Sequence, residues 1–114
     1  MKESFPGYSA CLAMMREHDP LIQEDGFHWL LPGASEHLEE FIEDFRREEG
    51  RGLKCWLLEL IGEARSPKAF ALLCEQLHSS EVSLRDWAIR GLQHLDTNEA
   101  RQALFDAEVD LEAD

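Results

Sequence analysis

The densest run of chemically capable side chains in the sequence is a group of carboxylates between residues 35 and 49. Its members are Glu36, Glu39, Glu40, Glu43 and Asp44. Paired carboxylates support acid–base catalysis only when one of them is removed from water and its pKa is shifted. Because acids on an open helical surface are not in that position, we expect no catalysis here. Two interpretations stay open: a solvated helix face, or a negative surface that binds a basic protein.

Other residues with catalytic or metal-binding chemistry are scattered. Cys74 and His78 stand four positions apart and would share one face of a helix, but two ligands do not make a metal site. A histidine near a helix end is also favoured simply by the helix dipole. The chain has no glycine-rich phosphate loop and no recognisable nucleophile–base arrangement. We therefore predict a protein that is not an enzyme and that holds no metal or cofactor.

The overall charge restricts the classes of partner. The chain has 24 acidic and 11 basic residues, for a net charge of −13. Nucleic-acid backbones and anionic membranes need the opposite sign, so we expect neither as a partner. Cationic proteins fit this charge, because it steers them and complements them locally. A role in solubility alone is an equally acceptable interpretation.

The cysteines and the N-terminal residues indicate the cellular compartment of the protein. The three cysteines, Cys11, Cys55 and Cys74, form no C-x-x-C pair, and their number is odd. This is not a disulfide framework, and it favours a reducing environment. The N-terminal residues lack the apolar core and the cleavage site of a signal peptide, and no run is long enough to span a membrane. We expect a cytoplasmic protein.

An internal repeat supplies the elements that position these residues. Leu53-Lys54-Cys55-Trp56 is echoed 31 positions later by Leu84-Arg85-Asp86-Trp87, and Leu73 is echoed by Leu104. A fixed period of this size is typical of an α-solenoid. The period extends backward, since Ser35 and Ser66 are also 31 positions apart. The acidic stretch is then the second helix of an earlier repeat.

Apolar spacing and helix-start signals predict about seven helices and no strand. The expected helices cover residues 8–18, 21–31, 35–49, 53–64, 66–78, 80–95 and 97–107. Asp19-Pro20, Ser35, Ser66-Pro67 and Thr97 are expected to begin helices, as is either Ser80 or Ser83. Gly26 is expected to kink or break the second helix. Pro32-Gly33 and Gly50-Arg51-Gly52 are expected to end the second and third.

The domain organisation follows from these elements. We predict one domain over 1–114: an irregular N-terminal unit at 8–50, clear repeats at 53–107 and an acidic tail at 108–114. The tail has no basic residue, so we expect it to be frayed and solvated. The expected architecture is all-α, with about three helix pairs and an N-terminal helix that caps the stack.

The repeat resembles a known family. Leu84-Arg85-x-x-Ala88-x-x-Gly91-Leu92-x-x-Leu95 resembles the first helix of a HEAT-like repeat of the bilin-lyase type. Leu60-Ile61-Gly62-Glu63-Ala64 and Pro67-x-Ala69-x-x-x-Leu72-Leu73 resemble the end of one such helix and its partner. The resemblance implies a short solenoid whose second helices line a concave face. It also implies that Lys54 and Arg85 stabilise packing between repeats.

The tryptophans and the acidic stretch together suggest a function. Trp56 and Trp87 hold equivalent positions, which indicates core packing. Trp29 is favoured as a core residue, but it would also serve as an anchor at a binding surface. We predict a non-catalytic protein-binding module with Trp29 and the five acids as candidate contacts.

The family resemblance makes that expectation more specific. Small, acidic helical-repeat proteins resemble some immunity proteins, which neutralise basic, nuclease-like toxin domains by occluding their active sites. The alternatives are a general HEAT-like scaffold or adaptor and, less favoured, a bilin-lyase-related protein.

Overall fold

The helices follow one another with short connections over the whole described chain. The structure is a computed structural model that describes residues 4–112, with side chains to Glu108. Within this range it contains seven α-helices and no strand, which confirms the predicted all-α fold. The helices are α1 (Tyr8–Met15), α2 (Pro20–Leu30), α3 (Leu38–Arg47), α4 (Arg51–Glu63), α5 (Phe70–Gln76), α6 (Val82–Leu95) and α7 (Asn98–Glu112). Short 3-10 turns at Leu31–Gly33 and Pro67–Ala69 adjoin α2 and α5.

The helices pack along one continuous apolar core. α1 packs on α2, α4 packs on both α3 and α6, and α6 also contacts α5 and α7. The core runs from Cys11 in α1 to Ala100 in α7. The molecule is elongated, with principal extents of 54 × 26 × 20 Å. This shape results from helices added side by side instead of around a single centre.

The sequence period appears as a repeated geometry. The chain leaves α4 at Arg65 and α6 at Asp96, which are 31 positions apart and adopt the left-handed conformation with φ of 51° and 50°. Ion pairs also join residues about one period apart. They are Arg46–Glu75 at 3.0 Å, Arg51–Glu81 at 3.1 Å and Glu63–His94 at 3.2 Å. Neighbouring repeat units therefore contact each other through polar pairs as well as through the core.

Three of the predicted helix starts are confirmed by side-chain caps. Asp19 accepts a hydrogen bond from the Leu21 amide at 2.9 Å. Ser66 accepts from the Lys68 amide at 3.3 Å, and Thr97 accepts from the Ala100 amide at 3.0 Å. Each cap satisfies an amide that the first helical turn leaves without a partner.

The predicted start at Ser35 is wrong. The chain continues from α2 through consecutive turns, in which Ala34 donates to the Leu31 carbonyl and Glu36 donates to the Gly33 carbonyl. Since these turns already satisfy the backbone, Ser35 has no helix end to cap, and α3 begins at Leu38. The predicted end of the second helix is confirmed, because α2 stops at Leu30 and Pro32-Gly33 lie in the 3-10 turn that follows.

Two other boundaries also differ from the prediction. Gly50-Arg51-Gly52 does not end a helix, because α3 stops at Arg47 and Gly50 is already the N-cap of α4. Neither Ser80 nor Ser83 caps α6, whose N-cap residue is Glu81. Ser79 makes the hydrogen bonds of this connection instead. Its hydroxyl accepts from the Glu81 amide at 3.1 Å, and its carbonyl accepts from Arg85 at 2.7 Å.

The expected break at Gly26 is wrong, because α2 is continuous from Pro20 to Leu30. A Cβ atom on Gly26 would lie 2.6 Å from the Cys11 carbonyl oxygen. The glycine is therefore needed for the close approach of α1 to α2.

The expected frayed tail is also wrong over most of its length. Asn98–Glu112 contains neither glycine nor proline, and α7 continues to Glu112; residues 113–114 lie outside the described range.

The basic residues and tryptophans of the repeat differ in their contacts. The Lys54 ammonium lies 4.9 Å from the centre of the Phe45 ring, which joins α4 to α3. Arg85 instead bonds within its own connection, to Ser79. Trp56 packs edge-on against Phe27 with ring centres 4.7 Å apart. Both repeat tryptophans are partly buried against the core.

Candidate partner-binding surface

The candidate acids lie on and just before α3, which is strongly amphipathic. Leu38, Phe41 and Phe45 are buried, because they recur at the spacing of one helix face. Glu36, Glu39, Glu40 and Glu43 are exposed, whereas Asp44 is only partly exposed. We call these five residues the acidic face. Four of them lie on α3, and Glu36 lies just before it.

Three members of the acidic face are engaged by neighbours in the same chain. Glu40 lies 2.9 Å from the His37 ring nitrogen. Glu43 pairs with Arg47 one helical turn later, and Asp44 accepts a hydrogen bond from the Tyr8 hydroxyl. Arg47 offsets the charge of Glu43, whereas Glu40 and Asp44 are held by contacts with His37 and Tyr8.

The other two members retain more of their charge. The Glu39 side chain is 85% exposed, and its nearest cation, Lys68, is 3.8 Å away and also exposed. An ion pair of this kind contributes little. Glu36 makes no ion pair within the described part of the chain. Glu36 and Glu39 are therefore the acids with most capacity to attract an external cation.

Trp29 is connected to the acidic face by a chain of aromatic rings. The ring of Trp29 lies 6.2 Å from that of Phe5, and Phe5 lies 6.0 Å from His37. His37 in turn lies 5.4 Å from Tyr8. We call these four residues the aromatic chain. Trp29 is partly buried against the core, whereas Phe5 is 45% exposed.

Sequence reasoning did not find Phe5, Tyr8 or His37. Phe5 precedes Pro6-Gly7 in a segment without helical periodicity, so no pattern marked it as part of a surface. The available signal was weak: aromatic residues at positions 5 and 8 close to the first helix. Their contacts with His37 form only when α1 packs beside α3.

A groove between α1 and α3 adjoins the acidic face. It has a volume of about 360 Å³, and it is lined by Tyr8, Leu12 and Arg16 from one side and by Glu40, Glu43 and Asp44 from the other. Burial and then the hydrogen bond to Asp44 raise the pKa of Tyr8 above its ordinary value. The phenol donates a hydrogen bond to Asp44, and the raised pKa keeps it protonated well above neutral pH. The groove therefore presents a phenol that donates hydrogen bonds and carboxylates that accept them.

Apart from the acidic face, three ionisable side chains occupy equivalent positions in the first helices of successive repeats. His28, Glu59 and Arg90 stand at successive intervals of 31 residues on α2, α4 and α6. Burial and then the neighbouring Glu63 raise the pKa of Glu59, while Arg90 and His28 act in the opposite direction. Sequence reasoning missed this set, although its spacing was available from the repeat. It shows that α2 keeps the register of the later repeats.

The remaining candidates for chemistry do not assemble into a site. Burial raises the pKa of the Cys11 and Cys74 thiols, which makes them poor nucleophiles at neutral pH. His78 lies just beyond α5 and is exposed. Among residues 4–108, no group of three or more histidine, cysteine or acidic side chains is placed to hold a metal ion.

No helix in the described range has both the length and the apolar character needed to cross a membrane. No family model matches the chain, and neither a curated protein nor a solved structure is significantly similar to it.

Proposed function

We propose that this protein is a non-catalytic binding module whose acidic face receives a basic protein. The observation that carries the proposal is the exposure of Glu36 and Glu39, which lie one and two positions along the chain from His37, a member of the aromatic chain. Interfaces combine a few buried aromatic anchors with a charged rim in this way. The net charge of −13 adds long-range attraction for a cationic partner.

The more specific proposal is an immunity protein that acts in the cytoplasm on a basic, nuclease-like toxin domain. A nuclease presents cations where it binds phosphates. The acidic face would occupy those cations, and Phe5 with Trp29 would exclude water from the centre of the contact. Inhibition would then result from occlusion of the active site and would require no chemistry from this chain.

The alternative is a HEAT-like scaffold or adaptor. It is favoured by the contacts of Glu40 with His37 and of Glu43 with Arg47, because these pairs use acidic residues to stabilise the protein's own surface. A scaffold would bind partners through the apolar or mixed surfaces of the stack. The two proposals therefore differ in the charge of the partner and in the effect of binding on it.

Co-purification from the native cells, with an affinity tag on the full chain, distinguishes these proposals. We expect a basic protein to be recovered at low salt and released as the salt concentration rises, since exposed charges are screened. Addition of the purified chain should then abolish the partner's nuclease activity in vitro. A partner without basic character, or a bound partner that keeps full activity, would contradict the immunity proposal.

A further inference from the structure

A second groove lies at the far end of the stack, between α6 and α7. Leu77, Val82, Ile89 and Leu104 form its apolar walls, and its volume is about 340 Å³. Val82 is 59% exposed, and Ile89 and Leu104 are partly exposed. The surface is mainly apolar, which is unusual in a chain with so many charged residues.

The repeat indicates what shape of ligand fits this groove. Ile89 and Leu104 are the counterparts, 31 positions later, of Leu58 and Leu73. Leu58 and Leu73 have no exposed surface, and α6 packs over the helices that carry them. At that contact a Cβ atom on Gly91 of α6 would lie only 2.7 Å from a Leu73 methyl carbon. In the described part of the chain, no helix takes the corresponding place over Ile89 and Leu104.

The rim of the groove indicates the charge of that ligand. Asp86 and Glu108 border the groove, where the preceding repeat has Cys55 and Leu77. Arg85, the cation beside them, already donates to the Ser79 carbonyl at 2.7 Å. A second copy of this chain would bring a further net charge of −13 and its own Asp86 and Glu108 to the contact, which repulsion disfavours. The apolar stripe of a partner helix would pack against the walls, and basic residues beside that stripe would pair with Asp86 and Glu108.

We propose that the α6–α7 groove binds a basic amphipathic helix of a partner protein, which lies on α6 and α7 as α6 lies on α4 and α5. This is helix-in-groove recognition, in which apolar side chains at i, i+3 or i+4 and i+7 enter the groove. The proposal concerns a different surface from the acidic face, so either can fail without the other.

A synthetic peptide tests the proposal with the full chain. The peptide has the sequence of residues 80–95, which is the segment that packs on α4 and α5, with Glu81→Lys and Asp86→Lys to supply basic flanks. We expect saturable binding by calorimetry, with amide chemical-shift changes confined to α6 and α7. A scrambled peptide of the same composition should not bind. The absence of saturable binding, or shift changes located elsewhere, would overturn the proposal.

Paired variants make the test specific for the groove. The variant with Val82→Ser and Ile89→Ser should bind the peptide at least about tenfold more weakly, because it removes apolar contacts at the centre of the interface. Its control carries Leu21→Ser and Ile22→Ser, two exposed apolar residues of α2, and should bind as the parent does. Equal weakening in both variants would contradict the proposal. So would sedimentation that shows a dimer of the free parent chain and a monomer of the Val82→Ser, Ile89→Ser variant, since a second copy would then be the occupant.

Discussion

Gly62 of α4 and Gly91 of α6 face each other where the two helices cross. A Cβ atom added to Gly62 would lie 2.9 Å from the Gly91 Cα atom, closer than real Cβ contacts come. The contact is between backbones, so no side-chain rotation can relieve it. The absence of side chains at both positions therefore sets the distance between two successive repeats.

Gly62→Ala is expected to lower the free energy of unfolding by about 1–3 kcal/mol, because the added methyl group forces α4 and α6 apart. Chemical denaturation of the purified variant measures this change. Gly52→Ala is the matched control: it lies in the first turn of the same helix, and its Cβ would meet nothing within 4 Å. The control should gain up to about 1 kcal/mol from helix propensity. Equal stability of the two variants would contradict the proposed crossing.

Tyr8→Phe is expected to destabilise the protein by about 1 kcal/mol, because it removes the hydrogen bond that the Tyr8 hydroxyl donates to Asp44. The ring contact with Phe41, at 5.7 Å, should remain. Thermal unfolding measures the loss. A variant as stable as the parent would show that the Tyr8–Asp44 contact adds nothing to the packing of α1 on α3.

Glu59→Gln is expected to stabilise the protein at neutral pH. The folded-state pKa of Glu59 is raised by burial and by Glu63, so the folded state holds this proton more tightly than the unfolded chain does. The cost of ionising Glu59 is therefore absent below its unfolded pKa and fully present above its folded pKa. The stability difference between variant and parent should grow as the pH rises from about 4 toward neutrality. A difference that does not change with pH would contradict this assignment, and Glu24→Gln on exposed α2 surface provides the control.

The sequence predicted the helices well where a local pattern determines them. Asp19, Ser66 and Thr97 were identified as helix starts because the cap is a contact between neighbours in the chain. The period of 31 residues predicted which positions of successive repeats are equivalent. Both signals are available without any knowledge of tertiary packing.

Prediction failed where tertiary contacts or a run of turns override local preference. Gly26 was expected to kink or break α2, but α2 is continuous and the glycine admits the Cys11 carbonyl of α1. Ser35 was expected to cap α3, but the turns after α2 already satisfy the backbone there. The same applies to the candidate surface. The five acids could be recognised from composition, whereas the pairing of Asp44 with Tyr8 depends on α1 packing beside α3.

Charge reversal on the acidic face should weaken binding of the basic partner. The structure selects Glu36→Lys with Glu39→Lys as the test, because Glu40, Glu43 and Asp44 are already engaged within the chain. A control with the same change in net charge is Glu24→Lys with Asp25→Lys, at exposed positions of α2. Comparison of the two variants separates a local contact from the effect of total charge.

The most direct measurement is the affinity of the co-purified partner for the parent chain and for these two variants, at low and at high salt. We expect Glu36→Lys with Glu39→Lys to weaken binding at least about tenfold at low salt, since like charges at an interface cost several kcal/mol. The Glu24→Lys, Asp25→Lys control should lose much less, and the difference should shrink at high salt. Equal affinity of the parent chain and the Glu36→Lys, Glu39→Lys variant at low salt would contradict the proposal that the acidic face is the binding surface.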